Sequence, residues 1–247
     1  FALNKLKEKY PNFEFEIIGY SEIDKYASQS YEANYGEKPF GDITQIEAST
    51  IPNFDILLAG FPCQAFSIAG KREGFNDTRG TMFFEVERIL EEKKPKCFLL
   101  ENVKGLINQD KGKTFKTMLD ILENKLNYKV YYKVLNAKNF GLPQNRERIM
   151  IVGFKNHNIN FEFPKELNIQ TRLGDILESN PDEKYTISDK IWDSHQKRKE
   201  RNREKGNGFG YSLFNEDSAY TSTISARYYK DGSEILIDQS KDGKNPR

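Results

Sequence analysis

Apolar and polar positions follow two different periods along the first part of the chain. FEFEIIGYS, Phe13 to Ser21, alternates with period two and predicts a strand; DKYASQSYEANY, Asp24 to Tyr35, predicts a helix. DILLAGF, from Asp55, is a short apolar run that predicts a buried strand. A helix over about Met82 to Glu92, a strand over Cys97 to Asn102 and a helix over about Thr114 to Leu126 follow. Tyr128 to Asn136 and Arg148 to Phe154 predict two more strands. Strands and helices in alternation predict an α/β domain on a mostly parallel, helix-flanked sheet. The last two strands are joined without a helical period, which predicts an antiparallel pair at one sheet edge.

Beyond about Lys155 the pattern decays and Asn, Asp, Gly and Ser become frequent. One helix is predicted from Ser188 to about Lys205, carrying the charge run KRKERNREK. GNGFG (Gly206 to Gly210) predicts a linker, and KDGSEILI (Lys230 to Ile237) a D-G turn before a short strand. The expected organisation is a catalytic domain over 1–155 and a smaller, irregular α+β domain over 156–247.

Composition narrows the function classes only a little. The 247 residues carry a net charge of +1 with 30% charged positions, so any nucleic-acid footprint must be local. No apolar run approaches the roughly 18 residues of a membrane span, and no signal peptide is visible. Two cysteines, Cys63 and Cys97, and two histidines, His157 and His195, are too few and too scattered for a zinc site, and no metal is expected. A reducing, cytoplasmic setting is the simplest reading.

Candidate chemistry collects where the strands end. Cys63 stands in GFPCQ, after a strand; Glu101 stands in LLENVKG; Arg146 and Arg148 stand in PQNRER. In open α/β sheets the carboxyl edge is where ligands bind. A free thiol has a pKa of ~8.5, so little thiolate is present near neutrality, and a nearby arginine raises that fraction. Burial raises a carboxyl pKa, so Glu101 beside Cys63 makes an acid–nucleophile pair suited to addition across a polarised double bond. Each group also has a plain reading. A lone cysteine is most often a packing residue, as expected for Cys97. Glu101 would then cap a turn, Arg146 and Arg148 would pair with Glu147 at the surface, and Glu22 and Asp42 would be solvated loop acids.

GFPCQAFSIAGKREGFNDTRG, LLENVKGL and GLPQNRERIMIVGF resemble the characteristic blocks of DNA cytosine-5 methyltransferases of the bacterial restriction–modification type. GYSEIDKYA and GDIT resemble their cofactor-side blocks, and TSTISARYY (Thr221 to Tyr229) resembles a late block near the target recognition domain. The resemblance spans nearly the whole chain, in the family's order. It implies a Rossmann-like methyltransferase fold using S-adenosylmethionine, with S-adenosylhomocysteine as product. It implies that Cys63 attacks carbon 6 of a flipped-out cytosine while Glu101 holds the base edge at N3. Arg148 would contact O2, Arg146 would orient the site, and Asn102 and Pro62 would shape the pocket, Pro62 on the cofactor side. Glu22 would bind the ribose hydroxyls, and Asp42 with Ile43 would meet the adenine. Gln64, Ser67 and Arg79, on the segment implied to close over the base, and Thr223 with Arg227 would bind DNA.

The same resemblance implies a monomer acting on double-stranded DNA beside the bacterial nucleoid. A cognate restriction endonuclease would serve the same system without direct contact. The family's glycine-rich loop after its first strand and its final block have no counterpart in this sequence, so a fragment is expected. An RNA (transfer RNA) cytosine-5 methyltransferase and a catalytically silent DNA-binding fragment stay open as alternatives. The KRKERNREK run reads equally as a solvated helix face or as a source of phosphate contacts, and GNGFG, a linker on its plain reading, stays open as a loop entering the major groove. Trp192 is expected as a packing anchor, and His157 and His195 as surface residues.

Overall fold

The computed structural model describes residues 2–62, 82–167, 169–208, 210–224 and 234–247. The chain gathers into two units, Phe1–Tyr132 with Met150–Phe161, and Lys133–Ile149 with Glu162–Arg247.

The first unit opens with helix α1 (Ala2–Lys9) and helix α2 (Lys25–Tyr35). Asp24 starts α2 by accepting from the Tyr26 and Ala27 N–H groups at 3.0 and 2.8 Å, and Gly36 ends it at φ 75°. Between the helices, Phe13 to Ser21 joins no ladder among the described residues. Side chains at 13, 15 and 17 are more sheltered than those at 14 and 16, so the alternation read from the sequence is real. Alternation sets which way side chains face, whereas a strand also needs a paired neighbour, and pairing is not local.

Strand β1 (Ile56–Gly60), helix α3 (Met82–Lys93), strand β2 (Cys97–Val103), helix α4 (Lys113–Asp120), strand β3 (Lys129–Asn136) and strand β4 (Glu147–Phe154) follow. The sheet order is β1-β2-β4-β3, with β1 and β2 parallel and β3 at an edge. Helix α3 buries Phe83, Val86, Ile89 and Leu90, one stripe at helical spacing. Helix α4 buries Thr114, Phe115 and Met118 and runs into a single π turn, Ile121–Lys125, closed by the Leu126 N–H on the Ile121 carbonyl at 2.8 Å. Phe98 of β2 meets Tyr128 edge-on at 5.0 Å, and its ring lies over Gly153 so closely that any side chain there would collide. The expectation that DILLAGF forms a buried strand is overturned. Ile56 and Leu58 are 48% and 58% exposed, because β1 is the last strand at its edge and the face it shares with Leu99 is uncovered among the described residues.

The second unit is less regular, as the decay of pattern after Lys155 predicts. Helix α5 (Asp189–Glu204) starts at Ser188, whose Oγ accepts from the Ile191 N–H at 3.4 Å. Strands β5 (Ser212–Phe214) and β6 (Ile235–Ile237) form a two-stranded parallel sheet. The D-G turn expected before β6 lies outside the described residues. Trp192, His195, Arg198 and Asn202 form the sheltered stripe of α5. Trp192 anchors on Tyr211 at 4.8 Å, as expected. His195 is a correction: only 14% exposed, it packs beside Arg198, which pairs with Glu234. Its spacing of three from both Trp192 and Arg198 puts it on the inward face.

Candidate active site

In the first unit the chain leaves β1 through Gly60, Phe61 and Pro62, which lead to Cys63. Cys63, Gln64, Ser67 and Arg79 lie outside the described residues, as does Arg227 in the other unit. What surrounds the exit from β1 is described. Register sets Glu101 directly opposite Gly60, and Glu101 Oε2 is 3.5 Å from where a Cβ at residue 60 would sit. The carboxylate therefore lies against the strand end, three positions before Cys63. Asn102 is buried, 2% exposed, and works as a strut. Its Nδ2 donates to the Phe61 carbonyl at 2.9 Å, and its Oδ1 accepts from the Val103 N–H at 2.8 Å. A buried amide with partners on both ends fixes the backbone of β1 against β2 where the chain turns toward Cys63. Pro62 is exposed and adds rigidity at that exit.

The cofactor-side residues of the same unit come together through two short segments. The Phe40 N–H donates to the Tyr20 carbonyl at 2.8 Å, and Ser21 Oγ donates to the Gly41 carbonyl. Phe40 also lies over Gly19, where a Cβ would strike its ring. Glu22 and Asp42 therefore follow directly on bonded neighbours. Glu22 Oε1 accepts from the Ile23 and Asp24 N–H groups, both at 2.8 Å, and Oε2 has no partner among the described residues. Asp42 Oδ1 accepts from the Thr44 N–H at 2.9 Å and the Thr44 hydroxyl at 2.8 Å. The Thr44 backbone bond first, then its hydroxyl, hold the Asp42 carboxyl below its ordinary range. The pair offers oriented carboxylate oxygens beside the half-buried, apolar Ile43. Those acceptors fit the diol and amino hydrogens of an adenosine, so the residues present suit the nucleoside half of S-adenosylmethionine.

The arginine loop belongs to the second unit. The Asn145 N–H donates to the Thr221 carbonyl at 2.8 Å, the Thr221 N–H to the Pro143 carbonyl at 3.0 Å, and Thr223 Oγ1 to the Asn145 carbonyl at 2.7 Å. Arg146 Nη1 donates to the Ile224 carbonyl at 3.5 Å, and Arg148 Nη1 to the Glu147 carbonyl at 2.8 Å. TSTI thus straps QNRER from the side, and Thr223 spends its only hydroxyl hydrogen on that strap. Sequence reasoning missed this strap, since nothing local in either segment names the other. It also missed the strut role of Asn102 and a clamp formed by Arg88, described below. Elsewhere, burial and then Asp55 push the half-buried Cys97 thiol above its ordinary range, as suits a packing residue. Among the described residues no cluster of His, Cys, Asp or Glu could hold a metal ion, and no helix is long and apolar enough to cross a membrane.

The sheet is of the α/β class, and Glu101 and Asn102 lie where β1 and β2 end, the edge at which such sheets bind ligands. The chain belongs to the C-5 cytosine-specific DNA methylase family, whose family model matches residues 3–247. It is 61% identical over 231 residues to the Type II methyltransferase M1.ScrFI of Lactococcus lactis subsp. cremoris, covering 92% of this chain and 59% of that protein. It is 62% identical over 228 residues to the Type II methyltransferase M.NlaX of Neisseria lactamica, covering 92% of this chain and 72% of the relative. The Type II methyltransferase M.SsoII of Shigella sonnei is 58% identical over 236 residues, 94% of this chain and 61% of its own length. Among solved structures, the S. pombe Dnmt2 methyltransferase superposes with a TM-score of 0.73 at 18% identity, over 96% of this chain and 74% of its own. A triple mutant of DNMT2 from Spodoptera frugiperda superposes with a TM-score of 0.71 at 22% identity, over 96% and 71%. These two likenesses speak for the fold alone.

Proposed function

We propose that the protein is a DNA cytosine-5 methyltransferase of a bacterial restriction–modification system. It would transfer a methyl group from S-adenosylmethionine to carbon 5 of a cytosine flipped out of a specific duplex sequence. The observation that carries the reading is the exit of β1, where Glu101 lies against Gly60 and Asn102 holds Phe61, just before Pro62 and Cys63. The likeness to Type II methyltransferases at about 60% identity supports duplex DNA over RNA.

In this reading the Cys63 thiolate adds to carbon 6 of the cytosine and Glu101 supplies a proton at N3. The ring's electron density moves to carbon 5. Bound S-adenosylmethionine would supply an electrophilic sulfonium methyl for carbon 5, with S-adenosylhomocysteine as the leaving group. A base then removes the carbon 5 proton, the returning electron pair expels Cys63 as thiolate, and the N3 proton goes back to Glu101. Arg148 would neutralise charge at O2, and Arg146 would orient the site. Glu22 and Asp42 with Ile43 hold the nucleoside, and Pro62 bounds it. Gln64, Ser67, Arg79, Thr223 and Arg227 would meet the DNA. A stacked base hides its ring face from a thiolate, so flipping is required, at a cost of a few kcal/mol. We assign 1–155 to catalysis and 156–247 to target recognition, and expect a monomer in the bacterial cytoplasm, with a cognate endonuclease that it does not touch.

Labelled S-adenosylmethionine with duplex DNA, and separately with transfer RNA, tests the proposal. Label appearing at cytosine carbon 5 of the duplex is the expected result. Transfer to RNA alone, or to neither, would remove it.

A further inference from the structure

The turn that carries Asp42 and Ile43 is held from outside by helix α3. Arg88 Nη2 donates to the Ile43 carbonyl and Nη1 to the Ile46 carbonyl, each at 2.9 Å. The same guanidinium donates from Nε and Nη2 to Glu85 Oε2 at 2.8 and 2.6 Å. One turn further along α3, Lys93 Nζ donates to the Ser49 carbonyl at 3.0 Å. Within the turn itself, the Ile46 N–H reaches the Ile43 carbonyl only at 3.4 Å. The guanidinium therefore binds that carbonyl at a better distance than the turn's own closing bond does. Asp42 caps the other end through Thr44.

We propose that Arg88 is a positioning residue for the adenine of the cofactor, clamping the 43–46 turn in its binding shape through both carbonyls while Glu85 fixes the guanidinium. The inference rests on the methyltransferase reading of Asp42 and Ile43. Arg88 touches no reacting atom; it acts through the turn. A planar fork is required, because one side chain must reach two carbonyls and a carboxylate at once, which an ammonium cannot do in a fixed geometry. With Arg88 about a third exposed, its pairing with Glu85 adds little as an ion pair, and its effect is geometric. A turn set before the ligand arrives spares the ordering cost on binding and holds Asp42 where an amino group can be told from a carbonyl.

Calorimetry with S-adenosylhomocysteine and S-inosylhomocysteine tests this on the unaltered protein and on Arg88→Ala, Arg88→Lys and Glu85→Gln. The inosyl ligand replaces the amino donor opposite Asp42 with an acceptor, so the unaltered protein should prefer the adenosyl form. Arg88→Ala is expected to weaken the adenosyl ligand about tenfold and to narrow that preference to within about threefold, the loss expected when preorganisation goes. Arg88→Lys should recover part of the preference, and Glu85→Gln should lose part of it. At saturating cofactor, kcat and the KM for DNA should stay within about twofold, since the loss is in cofactor binding alone. If Arg88→Ala does not fold, the Arg88→Lys and Glu85→Gln comparison decides alone. An unchanged preference in the variants overturns the inference, as does equal weakening of both ligands together with a fall in kcat. If the unaltered protein binds and methylates while the Arg88 variants keep affinity and preference, only this inference falls. If it binds neither ligand, the methyltransferase reading falls and takes this one with it.

Discussion

Tyr128 shows how burial alone can set a group's chemistry. It is fully enclosed, and its hydroxyl donates to the Pro95 carbonyl at 2.9 Å. Burial first, and the Cys97 thiol second, push it from 10.0 to about 12. Folding thus favours its neutral form. The resulting stability is fully present below pH 10 and is lost as pH rises through about 12. Lys155 lies over the same ring at 4.6 Å and is lowered by burial and then by Lys94, so it titrates in the opposite sense. Tyr128→Phe isolates the tyrosine. It should cost about 1 kcal/mol at neutral pH for the lost hydrogen bond, and it should flatten the decline of stability above pH 10 seen in urea unfolding. Parallel pH profiles for the two proteins would refute the assignment. At the proposed catalytic centre, Cys63→Ala should abolish methyl transfer while DNA affinity stays within about tenfold, because phosphate contacts dominate binding. Glu101→Gln should slow turnover by about a hundredfold or more, since the amide cannot release a proton to N3. Single-turnover methylation and filter binding measure these. A Cys63→Ala protein with unaltered turnover would end the covalent mechanism.

At the scale of elements, the β1–β2 pair carries the proposed site, and Asn102 joins the two strands at its edge. Replacing it with Ala removes its part-buried bonds to the Phe61 carbonyl and the Val103 N–H. Each lost bond costs about 1 kcal/mol. Asn102→Ala should therefore lower the melting temperature and reduce kcat by loosening the exit toward Cys63, yet leave S-adenosylhomocysteine binding near its original value. A matching loss of cofactor affinity would show that Asn102 supports the whole sheet and not that exit. Most of these elements were legible in the sequence. Helices α2, α3 and α5 fall within a residue or two of their periodic runs because cap and stripe are both local: Asp24 and Gly36 bound α2, and Ser188 starts α5. Phe13 to Ser21 has the period of a strand without a ladder, and β1 has the composition of a buried strand with half its face open. In both, the deciding fact was a neighbour elsewhere in the chain. The site divides likewise. Glu101, Asn102, Arg146 and Arg148 could be named from motif blocks beside apolar runs. The Thr223 strap and the Arg88 clamp join residues about 40 to 80 positions apart, and no local pattern encodes such pairs.

For the molecule as a whole, the open question left by the sequence is where its cations go. From Lys190 to Lys205 there are seven basic and three acidic residues, which fitted a solvated helix and a DNA-binding face equally. The basic side chains take different partners. Arg198 turns inward to Glu234, Lys199 donates to the Tyr211 carbonyl at 2.9 Å, and Arg203 pairs with Glu200 at 2.6 Å. Lys190, Lys197 and Arg201 line a surface groove together with Asp193, Glu200 and Glu204, so that face carries as many negative charges as positive ones. A balanced face attracts a polyanion weakly, and each phosphate that a protein truly neutralises adds about 0.9 to the slope of log K against log salt. The double substitution Lys197→Ala, Arg201→Ala is accordingly expected to leave that slope for duplex DNA within about 0.5 of its original value, less than one phosphate contact. A fall of about 2, one unit for each cation removed, would instead put α5 on the DNA backbone. Either slope can be read from titrations at four or more salt concentrations, and the result says whether the phosphate contacts of this protein must be sought on α5 or away from it.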